Sequence, residues 1–510
     1  MTPPTLMLLS ALGGAIVSAL LPARGAERSA RVVALVASLA TLGCALAAYV
    51  GFDRSAEADA LQFVTEIAWI ETPRIRFLTG VDGIGVILLL LTGIVGVACV
   101  LFSWNVTHRP RAFFAWMLLV IAGACGVFQS LDLVLLFLFY EAVILPKYFL
   151  IAIWGSKDRE YGAMKLTLYS VAGGALVLLG VILIAWQKEA GGFSIPALAG
   201  DRLPLALQLW VFPLLCVGFG VLAGLWPLHT WAPTGHAAAP TAASMLLAGL
   251  VMKLGSFGIL RVAMPLCADA LPAFAPALAG LGAAGIVAAA LVALSRRDLK
   301  LVIGYSSVAH MGFVLLGLGT LDRIGIAGAV LQMFSHGLIA GLLFAVVGRM
   351  LYDRFHTRDL EALGALGPGR ALPAVTVIFA AAAAASMGMP GFSGFIAEVS
   401  VLLGTWKRFP WLLLPVGFGI VVTAAFTVRA LQVVLGRTRP SAAGETPDLR
   451  EPAPAPAEPI TLAEKLGAAL LLGTSVWAGI FPQDLLALSL RAIESPMLHG
   501  IVQTAEGLAR

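Results

Sequence analysis

The sequence predicts an all-α integral membrane protein with about 14 transmembrane helices. Of its 510 residues, 60% are hydrophobic and only 12% are charged, whereas soluble domains carry roughly 25% charged residues. Apolar runs of about 20 residues, the length that crosses a bilayer, recur along the whole chain. The charged residues gather between these runs. We therefore attribute the net charge of +5 to loops that set membrane orientation, and we expect no nucleic-acid partner.

The sequence contains none of the short motifs that hold metals or nucleotides. Its five cysteines are scattered and form no CxxC pair or Cys/His cluster, which argues against zinc and iron–sulfur sites. No glycine-rich loop opens a βαβ unit and no Walker loop occurs. We expect no cofactor and no redox centre in this chain.

Apolar runs place the candidate spans to within about 2–4 residues. They lie at 4–22, 30–50, 82–103, 112–128, 132–153, 166–187, 205–226, 240–264, 272–293, 299–319, 324–350, 371–406, 409–436 and 462–484.

The loops that follow odd-numbered spans carry most of the basic residues. By the positive-inside rule these loops are cytoplasmic and both termini are periplasmic. The residues that set this orientation include Arg24, Arg28, Arg31, Arg109, Arg111, Lys157, Arg159, Arg296, Arg297, Lys300, Arg349, Arg354, Arg358, Arg437 and Arg439.

Two predicted spans are discontinuous. The seventh runs into "WPLHTWAPTGHAAAPT", and the twelfth contains "SMGMPGFSG". Interrupted helices at corresponding positions of two halves point to a transport site. The breaks lie five spans apart and so predict two five-helix repeats, spans 4–8 and 9–13. The predicted organisation is N-terminal helices (1–110), a first repeat (111–265), a second repeat (266–436), a Pro/Ala-rich cytoplasmic linker (437–461), and helix 14 with a tail (462–510).

Five ionisable residues lie within predicted spans: Glu141, Lys253, His310, His336 and Glu398. A charge at the bilayer centre costs at least about 2.5–3.5 kcal/mol, and such groups usually mark ion or proton paths. Each residue alone also has a structural explanation, since a buried histidine often only bonds two helices together. The five together predict proton transfer.

Lys147 follows Glu141 by six residues, in "FYEAVILPKYFL". On an ideal helix the two residues are about 120° and 9 Å apart, and Pro146 between them should kink the helix. The simpler explanation is that the lysine extends to the nearby interface. The alternative is that it compensates the carboxylate.

Several segments resemble the antiporter-like subunits of respiratory complex I. They include "FYEAVILPKYFLIAIWG", "LVMKLGSFGILR", "DLKLVIGYSSVAHMGFV" and "SMGMPGFSGFIAEVSVL". The "HTRDL" motif and the glutamate at position 398 favour subunit M (chain 4) of the NADH-quinone oxidoreductase family. The resemblance implies two inverted repeats in a bacterial inner membrane, with sister antiporter-like subunits on either side and lipid around them. Quinone, FMN and iron–sulfur clusters would belong to partner subunits, where quinone reduction supplies the energy.

The resemblance also implies a role for each buried group. Glu141 would be the carboxylate of a gating ion pair, and Lys253 the central lysine that relays protons. His310 and His336 would extend the row, and Glu398 would be its terminal site.

One departure from the family affects that gating pair. The family places a lysine seven residues before the histidine of its "PLH" motif, where this chain has Leu222. The aspartate of the family's "PDAH" is Thr234 here. Two hypotheses follow: Lys147 replaces the missing lysine, or the gate is lost and pumping is altered.

The sequence leaves two other functions open. The first is an antiporter-like subunit of another energy-converting complex, such as a membrane-bound hydrogenase, a multi-subunit cation/proton antiporter or an inorganic-carbon uptake complex. The second is a structural spacer whose proton path has decayed. Leu222 and Thr234 favour the spacer, whereas the retained buried charges oppose it.

Overall fold

Helices dominate the computed structural model, which describes residues 1–22, 25–55, 59–72, 74–187, 192–436 and 458–508. Most of the predicted linker, residues 437–457, lies outside the described residues.

The first part of the chain forms α1 Pro3–Leu20, α2 Glu27–Gly51, β1 Gln62–Ile70, β2 Ile75–Val81, α3 Gly83–Phe102, α4 Pro110–Gln129, α5 Leu133–Ala142, α6 Ile144–Trp154, α7 Arg159–Gln187 and α8 Ile195–Gly200. The middle forms α9 Leu205–Ala223, α10 Trp231–Ala238, α11 Thr241–Leu246, α12 Met252–Gly258, α13 Met264–Leu266, α14 Leu271–Ser295, α15 Leu299–Gly319, α16 Arg323–Ala345 and α17 Asp353–Phe355. The last part forms α18 Leu360–Ala365, α19 Pro368–Ala371, α20 Pro373–Ser386, α21 Ser393–Arg408, α22 Leu413–Val434, α23 Leu462–Ile480, α24 Gln483–Ile493 and α25 His499–Leu508. Wider π-helical turns occur at Leu247–Val251, Ile259–Ala263 and Val346–Tyr352.

Twelve helical stretches of the described residues are long and apolar enough to cross a membrane. The bent pair α23 and α24, which meet at 73°, makes a thirteenth if it counts as one span. The predicted all-α membrane fold is therefore confirmed, while the count of fourteen and the two repeats stay predictions.

Both predicted helix breaks are present. Residues 224–230 separate α9 from α10, and residues 387–392 separate α20 from α21. Prolines and left-handed glycines cause these breaks: Gly224 has φ 69°, Gly388 φ 69° and Gly391 φ 96°, conformations that few other residues adopt without strain.

Aspartates fix the start of several helices. Each accepts hydrogen bonds from backbone N–H groups of the first turn, which otherwise have no partner. They are Asp82 for α3, Asp132 for α5, Asp298 for α15, Asp322 for α16 and Asp359 for α18.

A two-stranded hairpin was not predicted. β1 and β2 pair antiparallel, and an ion pair between Glu66 and Arg76 joins them. β1 is largely exposed, so its sequence lacks the alternation of apolar and polar residues that marks a half-buried strand. The end of β2 is buried and leads directly to Asp82 at the start of α3.

The most buried helices lie at the centre of the bundle. In α3, in the stretch Thr241–Leu266, in α15 and in Arg323–Phe355, nearly every residue is buried, whereas most of α1, α2 and α7 faces outward. The central helices carry Lys253, His310 and His336. These groups therefore lie inside protein and not against lipid.

Candidate functional site

Lys253 and His336 are in direct contact at the centre of the bundle. The ammonium nitrogen of Lys253 lies 2.5 Å from Nδ1 of His336 and also donates to the carbonyl oxygen of Ala248. Ala248 belongs to the π-helical turn Leu247–Val251, a geometry that recurs at functional sites. Among the described residues, no carboxylate pairs with Lys253. Its charge must therefore be balanced by dipoles or removed by loss of a proton.

The row continues from His336 to Glu398. The rings of His310 and His336 lie 5.5 Å apart between centroids. Nε2 of His310 lies 3.2 Å from the carbonyl oxygen of Ser386 and 3.7 Å from Oε1 of Glu398. The structure thus brings four of the five predicted groups together in one sequence of contacts.

A small polar cavity lies beside the two histidines. Its lining includes Ser306, Gln332, Ser335 and Glu398. The space open to the centre of a water molecule is about 10 Å³, close to the minimum that one water needs. The amide oxygen of Gln332 has no hydrogen-bond partner among the described residues. Such a polar cavity suits a water that bridges neighbouring groups.

Lys147 points into the bundle, so the explanation that it extends to the interface is wrong. Its side chain is 2% exposed, and its nitrogen donates to Oγ of Ser170 on α7 at 2.9 Å. The Ser170 hydroxyl is a polar partner for the ammonium where α6 packs against α7. It takes the place of the water that would bind the ammonium if the lysine extended to the membrane interface.

Glu141 is separate from the row but close to the same face of α7. One carboxylate oxygen, Oε1, has no partner among the described residues and packs against Gly174. Gly174 and Ser170 are one helical turn apart, about 6 Å along the axis. Glu141 and Lys147 therefore face neighbouring positions of one helix without forming an ion pair within 4.0 Å.

The two departures from the family motif lie on either side of the first helix break. Leu222 is buried near the end of α9. Thr234 accepts a hydrogen bond from Lys165 at 3.3 Å and donates to the carbonyl of Thr230 at 3.0 Å. The hydroxyl at this position therefore binds a lysine of α7.

Sequence reasoning missed Lys300, which it assigned to a charged loop. Its side chain is buried, and the ammonium donates to the carbonyl of Ala239 at 2.5 Å. Lys300 lines a cavity of about 380 Å³ that also reaches Arg349 and Arg358. These arginines belong to the basic loops, and we call this end of the bundle the basic side. The available signal was the apolar run "LVIG" that directly follows the lysine in "RRDLKLVIGYSS".

His236 lies in the segment "WPLHTWAPTGHAAAPT", and the sequence predicted no function for it. It is fully buried, and its ring stacks on Phe344 at 4.4 Å between centroids. Neither ring nitrogen has a hydrogen-bond partner among the described residues. Two unsatisfied buried nitrogens are costly, and they lie within electrostatic range of both Lys253 and Lys300.

Three buried ion pairs outside the row were also missed. Arg261 and Asp82 pair at 2.5 Å, joining the start of α3 to the turn Ile259–Ala263. Glu464 pairs with Arg349 at 2.6 Å and with Arg354 at 2.9 Å, joining α23 to the end of the stretch that carries His336. No sequence pattern pairs residues so distant in the chain.

The family model "NADH:quinone oxidoreductase/Mrp antiporter, TM" matches residues 130–427. The chain belongs to this family. The matched region contains every residue of the row, together with both helix breaks, so the predicted family is confirmed.

Curated relatives are NAD(P)H-quinone oxidoreductase chain 4 proteins. One from Synechococcus sp. (strain JA-3-3Ab) is 40% identical over 379 residues, which are 74% of this chain and 71% of the relative. One from Picosynechococcus sp. (strain ATCC 27264 / PCC 7002 / PR-6) is 41% identical over 349 residues, 68% of this chain and 63% of the relative. The chain thus spans about two thirds of the relatives' length.

The fold matches a chain in the structure of respiratory complex I from Thermus thermophilus with bound NADH. The TM-score is 0.85 at 22% identity, covering 97% of this chain and 99% of that one. At this identity the match establishes the fold alone.

Proposed function

We propose that this chain is the M-type, proton-translocating subunit of a complex I-like NADH:quinone oxidoreductase in a bacterial inner membrane. The observation that carries the proposal is the sequence of contacts Lys253–His336–His310–Glu398. All four side chains can gain or lose a proton. They are buried where a charge without a function would cost free energy and bring no benefit. The redox reaction would take place in partner subunits that hold FMN, iron–sulfur clusters and quinone.

Protons would enter through the large cavity on the basic side, which we take as cytoplasmic. Lys300 lines that cavity, and His236, which lies within electrostatic range of Lys300 and Lys253, offers two unbonded ring nitrogens. Lys253 would pass its proton to His336, and His310 would pass it on to Glu398. A water in the small polar cavity would bridge the rings, which lie too far apart for direct transfer.

Glu141 would control when Lys253 holds a proton, and Lys147 would replace the lysine lost at Leu222. An ammonium near a carboxylate stabilises its ionised form, and the interaction is stronger inside protein than in water. Lys147 is buried and donates to a neutral hydroxyl, so its charge has no carboxylate partner other than the one that Glu141 could supply from the neighbouring position on α7.

A rescue experiment tests the role of Lys147. We expect Lys147→Ala to reduce proton pumping, and Lys147→Ala with Leu222→Lys to restore most of it. Lys157→Ala, which changes an exposed lysine, should leave pumping unchanged. If Leu222→Lys restores nothing while the protein level is normal, the gate is lost and Lys147 only supports the fold.

The first measurement is purification of the tagged chain in mild detergent, with mass spectrometry of the proteins that accompany it. We expect the flavin and iron–sulfur subunits of an NADH dehydrogenase. The family description also names Mrp antiporters, so cation/proton antiporter subunits in their place would support that function and overturn ours. A membrane assembly that does not pump would support the structural spacer.

A further inference from the structure

A groove between α1 and α4 opens to the outside of the bundle. Its volume is about 300 Å³, and nearly all its lining is apolar. Ala15 and Ala19 of α1 face Ala112 and Ala115 of α4, and these small side chains leave the space. Trp116 forms one wall and is held in place by stacking on Phe149 at 4.9 Å between centroids.

The groove has the length of a lipid chain segment. Its lining on α4 runs from Arg111 to Leu119, nine residues that span about 12 Å along the helix. One leaflet of the hydrocarbon core is about 15 Å thick. A groove of this volume admits a flexible chain, whereas a helix of about 10–12 Å diameter would only touch its rim.

A wider, more polar compartment continues the groove on the basic side. Its volume is about 520 Å³, and it shares Arg111 with the groove and adds Arg109. Arg109 forms no ion pair with a described residue. Arg111 donates one N–H to the carbonyl of Leu21 at 2.9 Å, which leaves other N–H groups of the guanidinium free. Glu27 also lines the compartment, but its carboxylate lies 3.8 Å from Arg31.

We propose that this groove binds one acyl chain of an anionic phospholipid, with the phosphate against Arg109 and Arg111. Arginine suits phosphate because its planar guanidinium can donate two parallel hydrogen bonds. Basic pockets between membrane helices commonly take anionic headgroups. None of the residues of the proton row lines this site, so the lipid proposal can be tested separately from the proposed function.

Photo-crosslinking in native membranes tests the site with the assembled protein. Ile16 lies at the lip of the groove and is 58% exposed, so it is replaced by a photoreactive residue. We expect mass spectrometry to find a phospholipid adduct enriched in anionic headgroups. A crosslink to a neighbouring protein subunit would overturn the proposal.

Two variants separate the headgroup from the chain. Arg109→Gln should lower the anionic adduct severalfold, and Ala19→Phe should abolish it by filling the groove while leaving both arginines intact. Arg28→Gln is the matched control, because Arg28 is exposed in the first turn of α2 and lines neither compartment. An adduct without headgroup preference that survives Arg109→Gln and Ala19→Phe would show nonspecific contact with lipid and refute the site.

Discussion

Lys253 would connect the two halves of the proposed path, because it would receive protons from the side of Lys300 and pass them to His336. We expect Lys253→Ala to lower proton pumping about 10²-fold or more, the usual contribution of a positioned proton-transfer group, while the complex still assembles. Proton uptake into vesicles during quinone reduction measures this. The exposed Lys157→Ala variant is the control, and normal pumping by Lys253→Ala would remove the lysine from the path.

Asp82 and Arg261 show how a single buried charge affects stability. We expect Asp82→Asn to cost about 3–5 kcal/mol of unfolding free energy, because Arg261 is left buried without a counter-charge. Asp322→Asn is the matched control: it also changes a helix-capping aspartate, but its partner Lys407 is half exposed at 3.3 Å. That pair should contribute about 0–1 kcal/mol. Denaturant unfolding in detergent measures the free energy of unfolding of both variants. If Asp82→Asn and Asp322→Asn lower it equally, burial of the Asp82–Arg261 pair does not contribute to stability.

The identities of the buried residues could be predicted, but not all of their partners. Glu141, Lys253, His310, His336 and Glu398 stand out because each is a charged or titratable group in an apolar run. Their contacts depend on which helices are neighbours, and hydropathy does not contain that information. Lys147 is an example. Its side chain points into the bundle because it binds Ser170 on another helix, and the sequence does not show that these helices are neighbours.

The break between α20 and α21 is the element that positions Glu398. Gly388 has φ 69°, and a Cβ there would lie 2.5 Å from Oε2 of Glu398. We expect Gly388→Ala to displace the carboxylate and reduce pumping severalfold. Gly391→Ala is the control, because φ is 96° and no atom lies within 4 Å of its Cβ.

Both alanine variants introduce left-handed strain of roughly 1–2 kcal/mol, so they should lower thermal stability similarly. Only Gly388→Ala should also reduce proton pumping, by more than its lower thermal stability explains. Equal pumping by the two variants would show that the break does not hold Glu398 in place.

Among the elements, the breaks were predictable and the hairpin and π-helical turns were not. Proline and glycine clusters interrupt helices wherever they occur, and so the sequence marks residues 224–230 and 387–392. β1 is mostly exposed and carries no strand periodicity. The turn Leu247–Val251 differs from its neighbours only in hydrogen-bond spacing, which packing sets and side-chain type does not.

At the scale of the whole molecule, protons could follow one route in series or two routes in parallel. Glu141 and Lys147 lie in the first predicted repeat, Glu398 lies in the second, and Lys253 connects the first to the histidines of the second. If protons follow one route in series, blocking either end stops most transport. If each repeat conducted separately, blocking one would leave the other active.

Double substitution separates these cases. We expect Glu141→Gln and Glu398→Gln each to reduce pumping strongly, and the double variant to be no worse than the more impaired single variant, since residues that act as a unit give non-additive losses. The measurement is the ratio of protons moved to quinone reduced in vesicles. Two parallel routes predict instead that each single variant keeps about half of the transport and that the double variant loses all of it. Lys253, His336, His310 and Glu398 lie side by side, and this row crosses the boundary between the two predicted repeats, so we expect the series outcome.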